Sequence, residues 1–125
     1  PRNPLIGEYT PIIAKFEQFK RQGKPLTVVG DGEQKRDFTH VYDICEGLIK
    51  LSEKEWGGEV FNLGTGTNYS INELVEMFEC EKIHLPARPG EARVTKADIS
   101  KTTKLTGWKP KFSLKNYIKE IINEL

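Results

Sequence analysis

Two arginines stand where a phosphate-binding group would be useful. Arg36 lies in the stretch Gly30 to Val41, GDGEQKRDFTHV, just beyond a Gly-Asp-Gly turn. Arg88 lies in Pro86-Ala87-Arg88-Pro89-Gly90-Glu91, directly after a strand-like segment. A guanidinium stays charged and presents a planar fork of donors that matches phosphate oxygens. Prolines around Arg88 restrict where it points, which lowers the ordering cost of binding. If both turns face one cleft, the pair would clamp a diphosphate. Taken alone, Arg36-Asp37 after a glycine turn is more often a local salt bridge at a strand start.

Other chemistry is thinly supplied. Gly64-Thr65-Gly66 follows a strand and precedes a helix, as a phosphate loop would. It has no Lys-Ser/Thr partner, and G-x-G alone is not a dinucleotide fingerprint; the glycines most simply let the chain turn. No carboxylate pair is spaced for acid-base work, and no Ser or Cys has a base at a recognisable distance. Tyr42, Tyr69 and Tyr117 have lysines nearby, but none shows Tyr-x-x-x-Lys. His40 and His84 sit singly on strand-like segments, so no metal is expected. Cys45 and Cys80, the only cysteines, form neither a disulfide framework nor a metal site, and reduced thiols in a cytoplasmic setting are expected. These residues alone name no catalytic group.

The elements that must position the arginines alternate between the two periods. Ile12, Ile13, Phe16 and Phe19 recur at helical spacing, with Pro11 suited to the first turn and Gly23 and Pro25 ending the run. A strand over Leu26–Val29 leads into the central loop, and a short strand over Asp37–Val41 leads out of it. Asp43 and Glu46 have capping-box spacing for a helix through about Glu53. Val60–Leu63 reads as a strand, Ser70 and Glu73 as a second capping box, and Ile71, Leu74, Val75 and Phe78 as one helix face. Lys82–Leu85 reads as a strand and Pro86–Ala92 as a loop. Asp98 is placed to cap a short helix that Gly107 and Pro110 end. Ser113 caps the last helix, whose Leu114, Tyr117, Ile118, Ile121, Ile122 and Leu125 make a stripe that must be buried. The class is mixed α/β.

The 125 residues make one domain or part of one. They are 37% hydrophobic and 10% aromatic, as in a globular protein. A net charge of +1 gives no field for nucleic acid or a membrane surface, and no apolar run approaches membrane-spanning length. No signal-peptide pattern appears. The acidic run from Glu53 to Glu81 and the cations from Arg93 to Lys119 read as solvated helix faces. The chain opens on Pro-Arg-Asn-Pro rather than Met, which suggests a fragment.

In order, the motifs resemble the C-terminal part of the extended short-chain dehydrogenase/reductase family of NAD-dependent nucleotide-sugar epimerases and dehydratases, UDP-glucose 4-epimerase-like. Pro1-Arg2 looks like the end of that family's Asn-x-Tyr-Gly-Pro-Arg segment. Lys24 to Gly32, then Gln34-x-Arg36-Asp37-Phe38 and Val41-x-Asp43, match its signature. Phe61-Asn62-Leu63-Gly64-Thr65-Gly66, Arg88-Pro89-Gly90-Glu91, Ala97 to Lys101 and Leu105 to Pro110 follow in family order, so the resemblance covers essentially all of residues 1–125.

The resemblance implies a substrate-binding portion of a Rossmann-type epimerase without its NAD-binding half. By it, Arg36 and Arg88 hold the diphosphate of a UDP-sugar, and the strand bearing Thr27 and Val29 lies against the uracil. The acid at the position of Glu91 is usually Asp and bonds the ribose; here it is one methylene longer. The Asn-Leu-Gly-Thr-Gly stretch is largely structural in the family. The NAD loop and the Tyr-x-x-x-Lys pair lie upstream of the part matched here. There a tyrosine removes a hydroxyl proton while hydride passes to NAD. The expected activity of the parent is therefore nucleotide-sugar epimerisation, and this chain alone is expected to be inactive. Alternatives are a dehydratase of the same family, a non-catalytic nucleotide-sugar-binding module and a truncated relic. Family members often dimerise through helices of the upstream half, so a homodimer of this chain would need another surface.

Overall fold

A computed structural model of the chain describes residues 11–125; the expectations for Pro1–Thr10, including the Pro1-Arg2 match, lie outside the described residues. Helix α1, Ile12–Arg21, starts from Pro11 as its N-cap and ends at Gly23, which turns back with φ +65°. Strand β1, Leu26–Val29, is parallel to β4, Lys82–Leu85, with Leu26 opposite Lys82 and Val29 opposite Leu85. Strand β2, Lys35–Arg36, pairs antiparallel with β3, Tyr69–Ser70, and Lys35 also bridges to Val94. The remaining helices are α2, Val41–Ser52; α3, Ile71–Phe78; α4, Ser100–Thr106; and α5, Leu114–Glu124. The mixed α/β class expected from the sequence is the one observed.

Alternation along β1 sets the geometry. Leu26 and Val28 are fully buried, while Thr27 and Val29 share the opposite, half-exposed face, as the two-residue period of a strand requires. The buried side joins Phe16 of α1, Ile71, Leu74, Val75 and Phe78 of α3, and Ile118 and Ile121 of α5 in one cluster. Phe16 and Phe78 meet edge to face with centroids 5.8 Å apart. Truncating either ring should cost about 3–5 kcal/mol. The stripe on α5 is thus buried against α3 and the shared core through Ile118 and Ile121, with Leu114, Tyr117 and Ile122 at its margin; Leu125, expected in the stripe, is exposed at the helix end.

The capping box of α3 is present. Ser70 Oγ accepts from Glu73 N at 3.0 Å, and Glu73 Oε2 accepts from Ser70 N at 2.7 Å. Ser113 likewise caps α5, accepting from Asn116 N. Asp98 accepts from Ser100 N at 3.0 Å, although Ile99 is the backbone N-cap of α4.

Three expectations are corrected. The strand in the central stretch is Lys35–Arg36 and not Asp37–Val41. Asp37 N donates to the Thr95 hydroxyl at 3.2 Å and not to a strand, and His40 caps α2, its Nδ1 accepting from Tyr42 N at 3.0 Å. Consequently α2 begins two residues before Asp43, and Asp43 and Glu46 form no capping box. Asp43 is buried in the first turn and accepts from Lys111 N at 2.9 Å and Phe112 N at 3.1 Å. Val60–Leu63 forms no strand. Its carbonyls are taken by side chains of α4, Thr102 Oγ1 to Asn62 O at 2.6 Å and Lys101 Nζ to Val60 O at 2.9 Å.

Candidate functional site

At its C-terminal end β1 runs into the Gly30-Asp31-Gly32 turn, and β4 runs into the Pro86–Ala92 loop. The two strands are parallel, so both exits lie on one edge: Gly30 N donates to Leu85 O at 2.8 Å, and His84 Nδ1 lies 2.7 Å from Gly30 O. The turn is fixed from behind by α3. Asn72 Nδ2 donates to Asp31 O at 2.9 Å and to Glu33 Oε1 at 2.7 Å. Gly32 has φ +76°, and a Cβ there would stand 2.2 Å from Asn72 Oδ1; no other residue allows both the backbone and this approach.

Between these exits is an open cavity of about 360 Å³ lined by Val29, Gly30, Asp31, Gln34, Ala87, Arg88, Glu91, Ala92 and Arg93. That volume is in the range of small-molecule sites. Three of the sequence-derived site residues, Val29, Arg88 and Glu91, line it. Arg36 does not line it but is tied to it, since its Nη2 reaches Glu91 Oε1 at 3.2 Å. Thr27 lies two residues back from Val29 on the same face of β1 and is not part of the lining.

Charge is distributed unevenly around the cavity. Arg93 is bidentate on Asp31, at 3.0 and 3.1 Å. That bond, with a further one from Glu33 N, holds the Asp31 carboxyl below its ordinary range and raises Arg93. Arg36 donates through Nη1 to Lys35 O at 2.8 Å and through Nη2 to Glu91. Arg88 is exposed, and among the described residues it has no hydrogen-bond or ion-pair partner. Three guanidiniums therefore meet two carboxylates at or beside the cavity, a net positive edge suited to an anion. At its floor Gln34 is buried, with Nε2 donating to Val29 O at 2.9 Å and Oε1 without a partner among the described residues.

Asp31, Gln34 and Arg93 were not among the residues predicted for the site. Asp31 stands in the Gly-Asp-Gly turn and Gln34 between that turn and Arg36; both fall within the matched signature, which assigned neither a role. Arg93 had no sequence signal, because its role depends on Lys35 N bonding Arg93 O at 2.7 Å, which brings the post-loop segment beside β2.

The expected Arg36-Asp37 salt bridge is absent; Arg36 pairs with Glu91, and Asp37 faces the Gly64-Thr65-Gly66 turn. Its carboxylate accepts from Thr65 N at 3.0 Å, Gly66 N at 3.2 Å, Ala97 N at 3.1 Å and the Thr65 hydroxyl. Burial alone would raise this carboxyl, but those bonds outweigh it and hold it below 3.8. A Cβ on Gly64 would lie 2.5 Å from Ala97 Cβ and 3.0 Å from Asp37 Oδ2. The turn's N–H groups are thus occupied by the chain's own anion. It does not fit the pyrophosphate of NAD, and no step through that cofactor can be drawn on these residues.

A second cavity, about 150 Å³, is lined by Phe38, His40, Phe112 and Tyr117 among others. His40 stacks on Phe112 with centroids 3.9 Å apart, and burial lowers its pKa. Among the described residues no arginine or lysine lines it. No cluster of three or more potential metal ligands occurs among the described residues, and no helix there is long and apolar enough to cross a membrane.

The chain is similar to known proteins. The family model described as GDP-mannose 4,6 dehydratase matches residues 7–121. The chain is 38% identical to the UDP-glucuronate 4-epimerase of Thermodesulfobacterium geofontis over 118 residues, which are 89% of this chain and 36% of that protein. It superposes on the UDP-glucose 4-epimerase of Thermotoga maritima, solved with UDP-glucose, with a TM-score of 0.88 and 31% identity, covering 98% of this chain and 41% of that one. The UDP-glucuronic acid 4-epimerase of Bacillus cereus, solved with UDP-glucuronic acid and NAD, superposes with a TM-score of 0.78 and 31% identity, covering 91% and 40%. The chain spans between about a quarter and two fifths of the length of the curated relatives it matches.

Proposed function

The chain belongs to the family of NAD-dependent nucleotide-sugar epimerases and dehydratases, and on that premise we propose that residues 1–125 are the substrate-binding part of a nucleotide-sugar epimerase. Its ligand is the nucleoside diphosphate of a UDP-sugar. Arg36 and Arg88 hold the diphosphate, the face of β1 carrying Thr27 and Val29 meets the base, and Glu91 meets the ribose. Hydride abstraction and return, with NAD and a tyrosine base, belong to the remaining part of a family-length protein.

The observation that carries this reading is the net positive cavity at the shared exit of β1 and β4, with Arg88 unpartnered among the described residues. The ends of parallel strands are where α/β proteins bind ligands. Helix α2 adds support, because Leu48 and Ile49 are 57% and 62% exposed on it. We read that apolar face as the surface against which the rest of a family-length protein packs. A match to a dehydratase family model favours a second reading, a dehydratase acting on the same class of nucleotide sugar.

Calorimetric titration with UDP and a UDP-hexose tests the proposal. Binding that is weakened in Arg36→Ala and in Arg88→Ala is the expected result; no binding at millimolar ligand would sink it. A chain that is strictly monomeric and binds no apolar dye would count against the assignment of α2.

A further inference from the structure

Among the groups around the cavity, Glu91 does something the proposed function does not use. Its Oε1 crosses from the post-β4 loop to the Arg36 guanidinium, 55 residues away in sequence, and stops 3.2 Å from Nη2. The other Nη of Arg36 is satisfied by Lys35 O. Glu91 is therefore the acid on the remaining edge of the fork, the edge adjoining the cavity that Glu91 itself lines.

We propose that Glu91 is a built-in competitor for the ligand's phosphate: in the free protein its carboxylate takes the place of a phosphate oxygen on Arg36, and an incoming diphosphate must displace it. This rests on the reading of Arg36 as a diphosphate-binding group.

Reach is the first argument. The contact needs the full length of a glutamate, and an aspartate on the same backbone would fall short by about one methylene, roughly 1.5 Å. Strength is the second. The pair is a single contact, longer than a usual charge-assisted bond, and its side chains are 24% and 35% exposed. Such a pair exchanges readily, and a phosphate offering two oxygens to the fork outcompetes it. The neighbouring Asp31–Arg93 pair differs on this point. It is bidentate, so it holds its own arginine, and the competitor is Glu91 alone. Charge is the third argument: Asp31 is already paired with Arg93, so Glu91 is the carboxylate whose withdrawal frees an arginine fork for the ligand's own negative charge.

The test is titration of the 125-residue chain with inorganic pyrophosphate and with UDP, at fixed ionic strength, using wild type, Glu91→Gln, Glu91→Asp and Arg36→Ala. Glu91→Gln should bind pyrophosphate about two- to fivefold more tightly, the factor that a partly exposed ion pair is worth. Glu91→Asp should also bind it more tightly, since it keeps the charge but releases Arg36. If only Glu91→Gln gains, the effect is one of net charge and the inference is overturned. It is equally overturned if neither variant gains. The parent reading fails separately: there, wild type binds neither ligand, or Arg36→Ala binds both as well as wild type does, and the inference falls with it.

Discussion

The turn at Gly64-Thr65-Gly66 and the cavity at the exit of β1 and β4 are both places where this chain concentrates donors for an anion, and they differ in who supplies it. At the turn the anion is Asp37, covalently part of the fold, with three backbone N–H groups and a hydroxyl converging on it. At the cavity the donors are guanidiniums on partly or well exposed side chains, two of them on carboxylates and one without a partner among the described residues. Backbone donors cannot move away without unfolding something, so an anion held by them becomes structure. Long side chains in water exchange partners at little cost, so an anion held by them can be a ligand.

The sharpest way to break this contrast is to remove the anion at each place. Asp37→Ala leaves three backbone N–H groups and the Thr65 hydroxyl without their acceptor, and should lower unfolding free energy by roughly 3 kcal/mol. Chemical denaturation measures it; a loss within error would mean that water replaces the carboxylate and that the turn is not a structural anion site. At the cavity, Arg88→Ala or Arg36→Ala should each weaken UDP-sugar binding by roughly 1.5–3 kcal/mol while leaving the denaturation midpoint in place. Unchanged affinity in both variants would end the clamp, whatever their stability.

Acid titration sharpens the comparison further. The Asp37 carboxyl is held below its ordinary 3.8 in the fold, so folding favours the ionised form. Its contribution is present at pH values above 3.8 and is lost as pH falls through the depressed folded value. Asp98 is held down in the same sense, first by the Ser100 hydroxyl and then by its N–H, but it is exposed and solvent screens it. Below pH 4, therefore, the stability of Asp37→Asn should fall less steeply than that of wild type. Parallel curves would move the acid sensitivity to another group.

Much of the fold was legible in the sequence because local signals agreed with tertiary ones. The Ser70-Glu73 box, the Ser113 cap, the alternation of Leu26–Val29 and the α5 stripe each specify their element within a few residues, and the core requires the same assignment. Where the reading failed, a distant partner decided. Asp43 looked like an N-cap, yet Lys111 and Phe112 bind its side chain, and His40 caps the helix. Val60–Leu63 has the composition of a strand, but α4 takes its carbonyls first. For the candidate site, Arg88 stands out by its proline-flanked loop, while Glu91 and Val29 are named by the resemblance alone; all three line the cavity. The Arg36–Glu91 and Arg93–Asp31 pairs could not be read from the sequence, since they join segments 55 and 62 residues apart and depend on two parallel strands ending at one edge.

The smallest expected effect belongs to the pair that looks strongest. Arg93 and Asp31 share two bonds near 3 Å, and the arginine lowers the aspartate's pKa as its first cause. Yet the side chains are 63% and 58% exposed. Water and salt screen such a pair, and ordering two flexible side chains offsets what attraction remains. Asp31→Asn should therefore leave the thermal midpoint indistinguishable from wild type at physiological salt, in contrast to Asp37→Ala, although both remove a carboxylate with a depressed pKa. A clear drop in midpoint would mean that the Arg93 contact clamps the post-β4 loop onto the Gly30-Asp31-Gly32 turn. The cavity would then share the fixed character of the Gly64 turn, and the distinction between an anion that is structure and one that is ligand would rest on the Arg36 side alone.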